Sequence, residues 1–264
     1  MKKLQLLILL LCFQAQAQKN RIELELGATL LGRQDLIFSP FVHHSFSPMH
    51  VGLQWENQNY HRLALRANLH SSALLPRFRY IEEDQRKVAA QHFYTLVELD
   101  YSKGWKVLAK DKITLVAGAT SQNHFQMMNY QYGRIGSFGY YLQLGLGPYI
   151  QAQFRPTSKS RFEIRASQPA FAWISRSPYL VNDDEFIENI SSHSTLHTLG
   201  AFIEDGSFVS AMDFRDVKSE LKWVRSFGKH LEGGLSYRFD YLHIENPRPL
   251  KSYQNGLFFH IAVK

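Results

Sequence analysis

The feature that most constrains the fold is a period of two held without a break over Phe138–Phe154, FGYYLQLGLGPYIQAQF. Its even positions, from Phe138 through Leu142, Leu144, Leu146 and Ile150 to Phe154, are all apolar or aromatic. Its odd positions, from Gly139 through Gln143, Gly145, Tyr149 and Gln151 to Gln153, are polar, small or tyrosine. Such alternation predicts an extended strand with one apolar and one wet face. Strands of soluble proteins usually run about five or six residues. A strand that crosses a bilayer needs roughly nine to eleven, and more where it protrudes.

The rest of the chain repeats the pattern. Ile22, Leu24, Leu26, Ala28 and Leu30 alternate with Arg21, Glu23, Glu25, Gly27 and Thr29. Similar alternation runs through 50–56, 62–70, 93–101, 161–167, 216–223, 231–241 and 257–264, and more weakly through Ile113–Thr120. Between these segments Asn57–Asn59, Lys110–Lys112, Arg155–Ser160 and Gly228–His230 form short connections. Gly32–Pro40, Pro76–Ala90, Ser121–Ser137, Arg176–Gly206 and Glu245–Gln254 form longer ones, richer in Pro, Gly and charge. Trp55, Trp105 and Trp223 stand near the short connections, flanked by Tyr60, Phe154, Phe162 and Phe227. That clustering is the aromatic girdle expected at one membrane interface. The expected fold is all-β: one antiparallel transmembrane barrel of ten strands, with short periplasmic turns and long extracellular loops. A hairpin around Thr195–Ile203 would raise the number to twelve.

Residues 1–17 read as a signal peptide: Lys2 and Lys3, an apolar run over Leu4–Phe13, then Ala15-Gln16-Ala17. The barrel domain is then 18–264. Leu11 stands before Cys12 where lipoprotein signals favour a small residue, and cleavage removes the chain's one cysteine. The net charge of +7 is not gathered into a basic helix or block, so nucleic acid is not an expected partner.

Signal peptide, amphipathic strands, unequal connections and a last strand ending the chain (GLFFHIAVK) together resemble the small outer-membrane β-barrel proteins of Gram-negative bacteria. The resemblance covers the mature chain and is architectural. It departs at the terminus, which ends Val263-Lys264 instead of on an aromatic. It implies outer-membrane localisation, both termini in the periplasm, contact with membrane lipids and lipopolysaccharide, and passage through the barrel assembly machinery.

Four groups of residues are candidates for function. Arg62, Arg66, Glu98, Asp100, Glu163, Arg165, Lys218, Glu220, Arg238 and Asp240 fall on wet faces and are expected to fill a ten-stranded lumen with ion pairs. The alternative for the same residues is a narrow, charge-lined channel. HHSFSPMH (His43–His50) and HFQMM (His124–Met128) place imidazole and thioether groups in two outer connections. With His193 and His197, the set His43, His44, Met49, His124, Met127 and Met128 would suit a metal or haem if the loops converged. No fixed ligand spacing supports it, and no cofactor is expected.

Outer-membrane phospholipases and lipid A deacylases use a His-x-Ser element, in which His activates the Ser nucleophile. His43-His44-Ser45 has that spacing, followed by Phe46 where those families carry Asn. His43 and Ser45 are thus the pair an enzymatic alternative would use, as a hydrolase of phospholipid or lipopolysaccharide. Omptin-type proteases pair carboxylates with an Asp-His couple, whereas Asp240 and His243 stand on opposite faces of one strand and Asp183-Asp184 falls in a connection. Last, Arg77, Arg79, Arg86, Lys87, Arg134, Arg176, Arg248 and Lys251 would line an outer rim suited to lipopolysaccharide phosphates.

Overall fold

The computed structural model describes residues 20–72, 79–88, 92–132, 135–177, 204 and 206–264. The signal-peptide segment, Arg77, Arg134, His193, His197 and the hairpin expected around Thr195–Ile203 lie outside the described residues.

The strands are β1 (Arg21–Asp35), β2 (His43–Glu56), β3 (His61–Ser72), β4 (Arg79–Glu82), β5 (Gln85–Val88), β6 (His92–Lys110) and β7 (Ile113–Tyr132). They continue as β8 (Ile135–Thr157), β9 (Ser160–Ser167), β10 (Phe171–Arg176), β11 (Ser207–Ser210), β12 (Phe214–Ser226), β13 (Leu231–Ile244) and β14 (Leu250–Val263). Strands β4 and β5 form a separate hairpin between β3 and β6. Every other strand joins one antiparallel sheet, ordered β11-β10-β8-β7-β6-β3-β2-β1-β14-β13-β12-β9, and the pairing of β8 with β9 closes it.

Strands β9 and β10 are halves of one stave, since both pair with β8. The break falls at Gln168–Ala170, where Ala170 N–H still donates to Leu146 C=O at 2.9 Å. Strands β11 and β12 make another stave across the turn Ala211–Asp213, tied in by Ala211 N–H to Ala170 C=O at 2.9 Å. With these halves joined, the closed barrel has ten staves, and closure needs no further hairpin. Closure satisfies the backbone of every stave and removes the sheet edges, which is what a bilayer interior demands.

Side chains sort by strand phase. On β8, Leu144, Leu146, Ile150 and Phe154 are exposed on the outer wall, while Gln143, Tyr149, Gln151 and Gln153 are buried within. The outer wall carries large exposed apolar residues all round, from Leu24, Leu26 and Leu30 on β1 to Leu257, Phe259 and Ile261 on β14. A water-soluble protein seldom exposes a continuous apolar surface beyond a few hundred Å². Trp105, Phe154, Phe162 and Phe227 are exposed near the end that carries the short turns, Arg21 and Val263. Polar residues on the outer wall are locally satisfied: Asn123 donates to the Leu99 carbonyl at 2.7 Å and to Ser121 Oγ at 3.0 Å.

Several expected connections are strand. Ser121–Ser137 is replaced by one long hairpin of β7 and β8, so HFQMM lies on a stave and not in a loop. HHSFSPMH is the outer half of β2, with an irregularity in its pairing to β1 between Gly27 and Thr29. Pro48 and Met49 both face outward there, which resets the phase: His43, Ser45 and Ser47 point inward before it, and His50 after it. Gly32–Pro40 is a connection only beyond Asp35, and Glu245–Gln254 only up to Pro249.

Candidate functional site

The lumen is the chemically distinctive part of the molecule, and it is built in tiers. At the turn end Glu232 accepts from Arg21 Nε at 3.0 Å and Arg161 Nη1 at 2.8 Å, and pairs with Lys264 Nζ at 2.5 Å. Arg21 also pairs with Glu23 and, at 3.4 Å, with Glu56, while Arg161 pairs with Glu163. One tier further in, Lys222 meets Glu23, and Arg62 donates to Glu220 at 2.8 Å.

The middle tier is the densest. Arg66 donates to Asp100 at 3.1 Å and lies 3.6 Å from Glu25. His50 bridges Glu25 at 2.7 Å and Asn68 at 2.6 Å. Lys218 donates to Asp100 at 2.9 Å and sits 3.5 Å from Glu98, and Arg238 sits 2.9 Å from Asp240 and 3.6 Å from Glu98. His124 stands 3.1 Å from Asp216, whose carboxylate accepts from Gln143 at 2.5 Å, and Gln143 in turn accepts from the Tyr141 hydroxyl at 2.5 Å. Arg165 has no carboxylate partner among the described residues; its guanidinium lies 4.0 Å over the Tyr149 ring. That ring fits because β6 and β7 offer glycines: a Cβ on Gly104 would lie 2.1 Å from the Tyr149 hydroxyl, and one on Gly118 2.8 Å from its ring.

Toward the loop end the interior turns apolar. Leu31, Tyr94, Leu96, Met128, Ile174, Phe214, Leu242, Ile244 and Leu250 form one cluster with Ile37 and Phe38. Ile37 and Phe38 come from the β1–β2 connection, which folds back into the barrel mouth; the Phe38 ring occupies the space a Cβ on Gly139 would need. A buried latch holds it. Asp35 accepts from Arg176 at 2.5 Å, from Arg33 at 3.0 Å and from Ile37 N–H at 3.2 Å. Arg176 also donates to the carbonyls of Arg248 at 2.6 Å and Asn246 at 3.2 Å, tying the β13–β14 connection to the same point.

Open space follows the tiers. The turn end opens into a vestibule of about 670 Å³ lined by residues including Arg21, Glu56, Tyr60, Lys106, Gln153, Arg155, Arg161, Glu163 and Lys264. Beyond it the described lumen narrows to a void of about 30 Å³ among Arg62, Arg66, Asp100, Arg165, Lys218, Glu220 and Arg238. A void of that size holds about one or two waters.

The residues singled out in the sequence are therefore placed as follows. All ten of the expected lumen residues face inward, nine in ion pairs and Arg165 on an aromatic ring. Strand alternation separates the His/Met set. His43 and Met128 are buried inside, His44 and Met127 stand on the outer wall, Met49 is 63% exposed at the bulge, and His124 belongs to the ionic tier. Among the described residues no three His, Cys, Asp or Glu side chains gather as a metal site. His43 and Ser45 share the inward face, but the Ser45 hydroxyl donates to the Ser71 carbonyl at 2.7 Å, and the His43 ring packs edge-on against His92 at 4.6 Å. The serine proton is thus directed at a backbone oxygen and not at the imidazole. Arg176, expected at the outer rim, is instead the buried latch. Sequence reasoning also missed Asp35, Arg33 and the apolar cap; the signal for them is the run Leu31–Phe38, where inward Leu31, Arg33 and Asp35 extend the β1 phase past Leu30.

No protein-family model and no curated protein matches the sequence. Among solved structures the chain is similar to the outer membrane protease OmpT of Escherichia coli, at 6% identity over 92% of this chain and 96% of that one, with a TM-score of 0.47. It is also similar to Neisserial surface protein A (8% identity, 93% and 96% coverage, TM-score 0.37). A third is Ail, the attachment invasion locus protein of Yersinia pestis (7% identity, 91% and 98% coverage, TM-score 0.23). At such identities and scores no residue role passes from these proteins to this chain. The closed ladder, the apolar outer wall and the ionic lumen carry the assignment by themselves: the chain is a ten-stranded transmembrane β-barrel of the outer-membrane type.

Proposed function

We propose that this is an exported outer-membrane protein of a Gram-negative bacterium that acts as a sealed barrel, strengthening the envelope and meeting ligands at its two faces without conducting solutes. The signal peptide 1–17 is removed, and the termini and short turns stand in the periplasm. The observation that carries the reading is the lumen profile. A vestibule of about 670 Å³ ends at a void of about 30 Å³, and beyond it Ile37 and Phe38 fill the opposite mouth. A conduit needs a continuous water path, and here paired charges and then hydrocarbon interrupt it. The long connections, with the β4–β5 hairpin and its Arg79, Arg86 and Lys87, form the face offered to lipopolysaccharide phosphates.

Two measurements test this. Protein refolded into planar bilayers is expected to give no conductance steps, and stable unitary steps from the wild type would overturn the sealed reading. For orientation, single cysteines replace Asp84 in the β4–β5 hairpin and Asp111 in the β6–β7 turn. On intact cells an impermeant maleimide is expected to label D84C and spare D111C; the reverse would invert the topology.

A further inference from the structure

The vestibule has a charge pattern that its own structure does not use up. Its two glutamates are engaged, Glu56 with Arg21 and Glu163 with Arg161, and Glu232 in the adjoining cleft takes Arg21, Arg161 and Lys264. Two cations on the same wall, Lys106 and Arg155, have no carboxylate partner among the described residues. Among the described side chains of this wall, the charges left to a visitor are therefore positive. They are set in a cavity whose low-dielectric walls and closed floor focus the field towards the mouth. Around them Asn20, Asn57, Gln58, Gln153 and the Tyr60 phenol supply neutral hydrogen-bonding groups. The volume is in the range of ligand sites for molecules of drug or short-peptide size, and too large to be specified by a monatomic or single tetrahedral anion.

We infer that the turn-end vestibule is a dead-end receptor for a peptide-sized ligand carrying more than one carboxylate, with Arg155 and Lys106 as the residues that meet those carboxylates. Arg155 offers a planar fork to one carboxylate, and Lys106 a point charge to another. The amides on the rim read the ligand's backbone. The narrow void behind Arg62 and Arg66 stops the ligand from passing, so binding and not transit is the outcome. The proposal rests on the sealed-barrel reading for that dead end, and on the proposed orientation only for the ligand's compartment. In the periplasm the same chemistry has two sources: the stem peptides of the cell wall, or free acidic peptides.

The test is isothermal titration of the purified full barrel in mild detergent at low salt. One probe is a soluble disaccharide-tetrapeptide released from cell wall, and the other is the peptide Ala-Glu-Glu-Ala. Saturable one-to-one binding is expected, weakening as salt is raised. It should fall at least tenfold in K106S/R155S and stay unchanged in K251S, which removes an exposed lysine near the opposite end. Because Lys106 and Arg155 are exposed, the double variant is expected to keep the wild-type heat-modifiable gel migration; R155E alone serves as a second variant should it not. Tighter binding of the wall fragment supports the receptor with the cell wall as source, and equal binding supports it with acidic peptides as source. No saturable binding of either probe overturns the proposal, as does unchanged affinity in both R155E and K106S/R155S. A wild-type barrel that conducts yet still binds through Arg155 would overturn the sealed reading and leave the vestibule site standing.

Discussion

The two halves of this lumen are closed by opposite means. From the turn end to the middle, Arg, Lys, Glu and Asp pair across the barrel from stave to stave, with Arg161–Glu163 and Arg238–Asp240 paired along a single stave and Arg165 set over an aromatic ring. Toward the loop end an apolar cluster drawn together around Phe38 fills the interior, pinned by a buried latch in which Asp35 pairs with Arg176 and Arg33. The ionic half gets its coherence from cancellation: removing a singly paired group such as Arg62 deprives Glu220 of its nearest cation in a poorly solvated place. The apolar half gets it from contact, and loses stability roughly in proportion to the volume removed. A barrel wall alone does not dictate either solution, since both use the same inward-facing phase of the same strands.

The comparison breaks most visibly if both seals are opened together. Truncating Arg62, Arg66 and Glu220 to Ala should leave the wild-type silence in planar bilayers, because the apolar cap still closes the mouth. Replacing Ile37 and Phe38 by Gly should also leave it silent, because the ionic tiers remain. The combined variant is expected to show unitary steps. Conduction from either parent would mean that only one seal matters.

Next in size is the stranding of a charge. Glu23→Ala removes the nearer of Lys222's two carboxylates, leaving Glu220 at 3.9 Å, and one of Arg21's partners, and should cost about 3–5 kcal/mol in reversible urea unfolding from lipid vesicles. Leu250→Ala, at a fully buried position of the cap, should cost about 2–5 kcal/mol by the same measurement. These two sites sit at opposite ends of the β1–β14 pair, beside Glu23–Ala262 and Asp35–Leu250. Their double variant should therefore be additive within roughly 0.5 kcal/mol. A larger coupling would show that the halves are one cooperative network. The smallest effect belongs to the hairpin outside the barrel, where Lys87 pairs with Glu82 at 2.7 Å in partial exposure. Lys87→Ala should change stability by less than about 1 kcal/mol.

Strand identity was readable wherever one face stayed apolar for long enough, as on β8, β13 and the second half of β14. It was unreadable where a local device interrupted the period. Pro48 and Met49 shift the phase of β2, so its outer half reads as a loop. Ser121 and Asn123 put polar groups on the outer wall of β7; the Asn123 amide makes that tolerable by donating to Ser121 and, across the pairing with β6, to the Leu99 carbonyl. The lumen residues could be found from phase, since an inward charge on a narrow barrel has nowhere else to go. Their partners could not. Arg62 meets Glu220 across 158 positions of chain, and Arg176 meets Asp35 across 141, distances that only the closed curve of the sheet resolves. The thioether and imidazole groups illustrate the converse: neighbours in sequence, His43 and His44 or Met127 and Met128, are sent to opposite sides of the wall.

The seam between β1 and β14 has a consequence in time. These strands pair along their whole length, from Ile22–Val263 to Asp35–Leu250, so the ring closes only when its first and last staves meet. Until then the assembling sheet is an open ribbon with two unsatisfied borders, vulnerable to pairing with a stranger. The same adjacency makes the chain's beginning arbitrary. A gene rearranged to start at the Asp111 turn, with residues 20 and 264 joined by a short linker, would encode the same ring of neighbours and a different waiting time for its last partner.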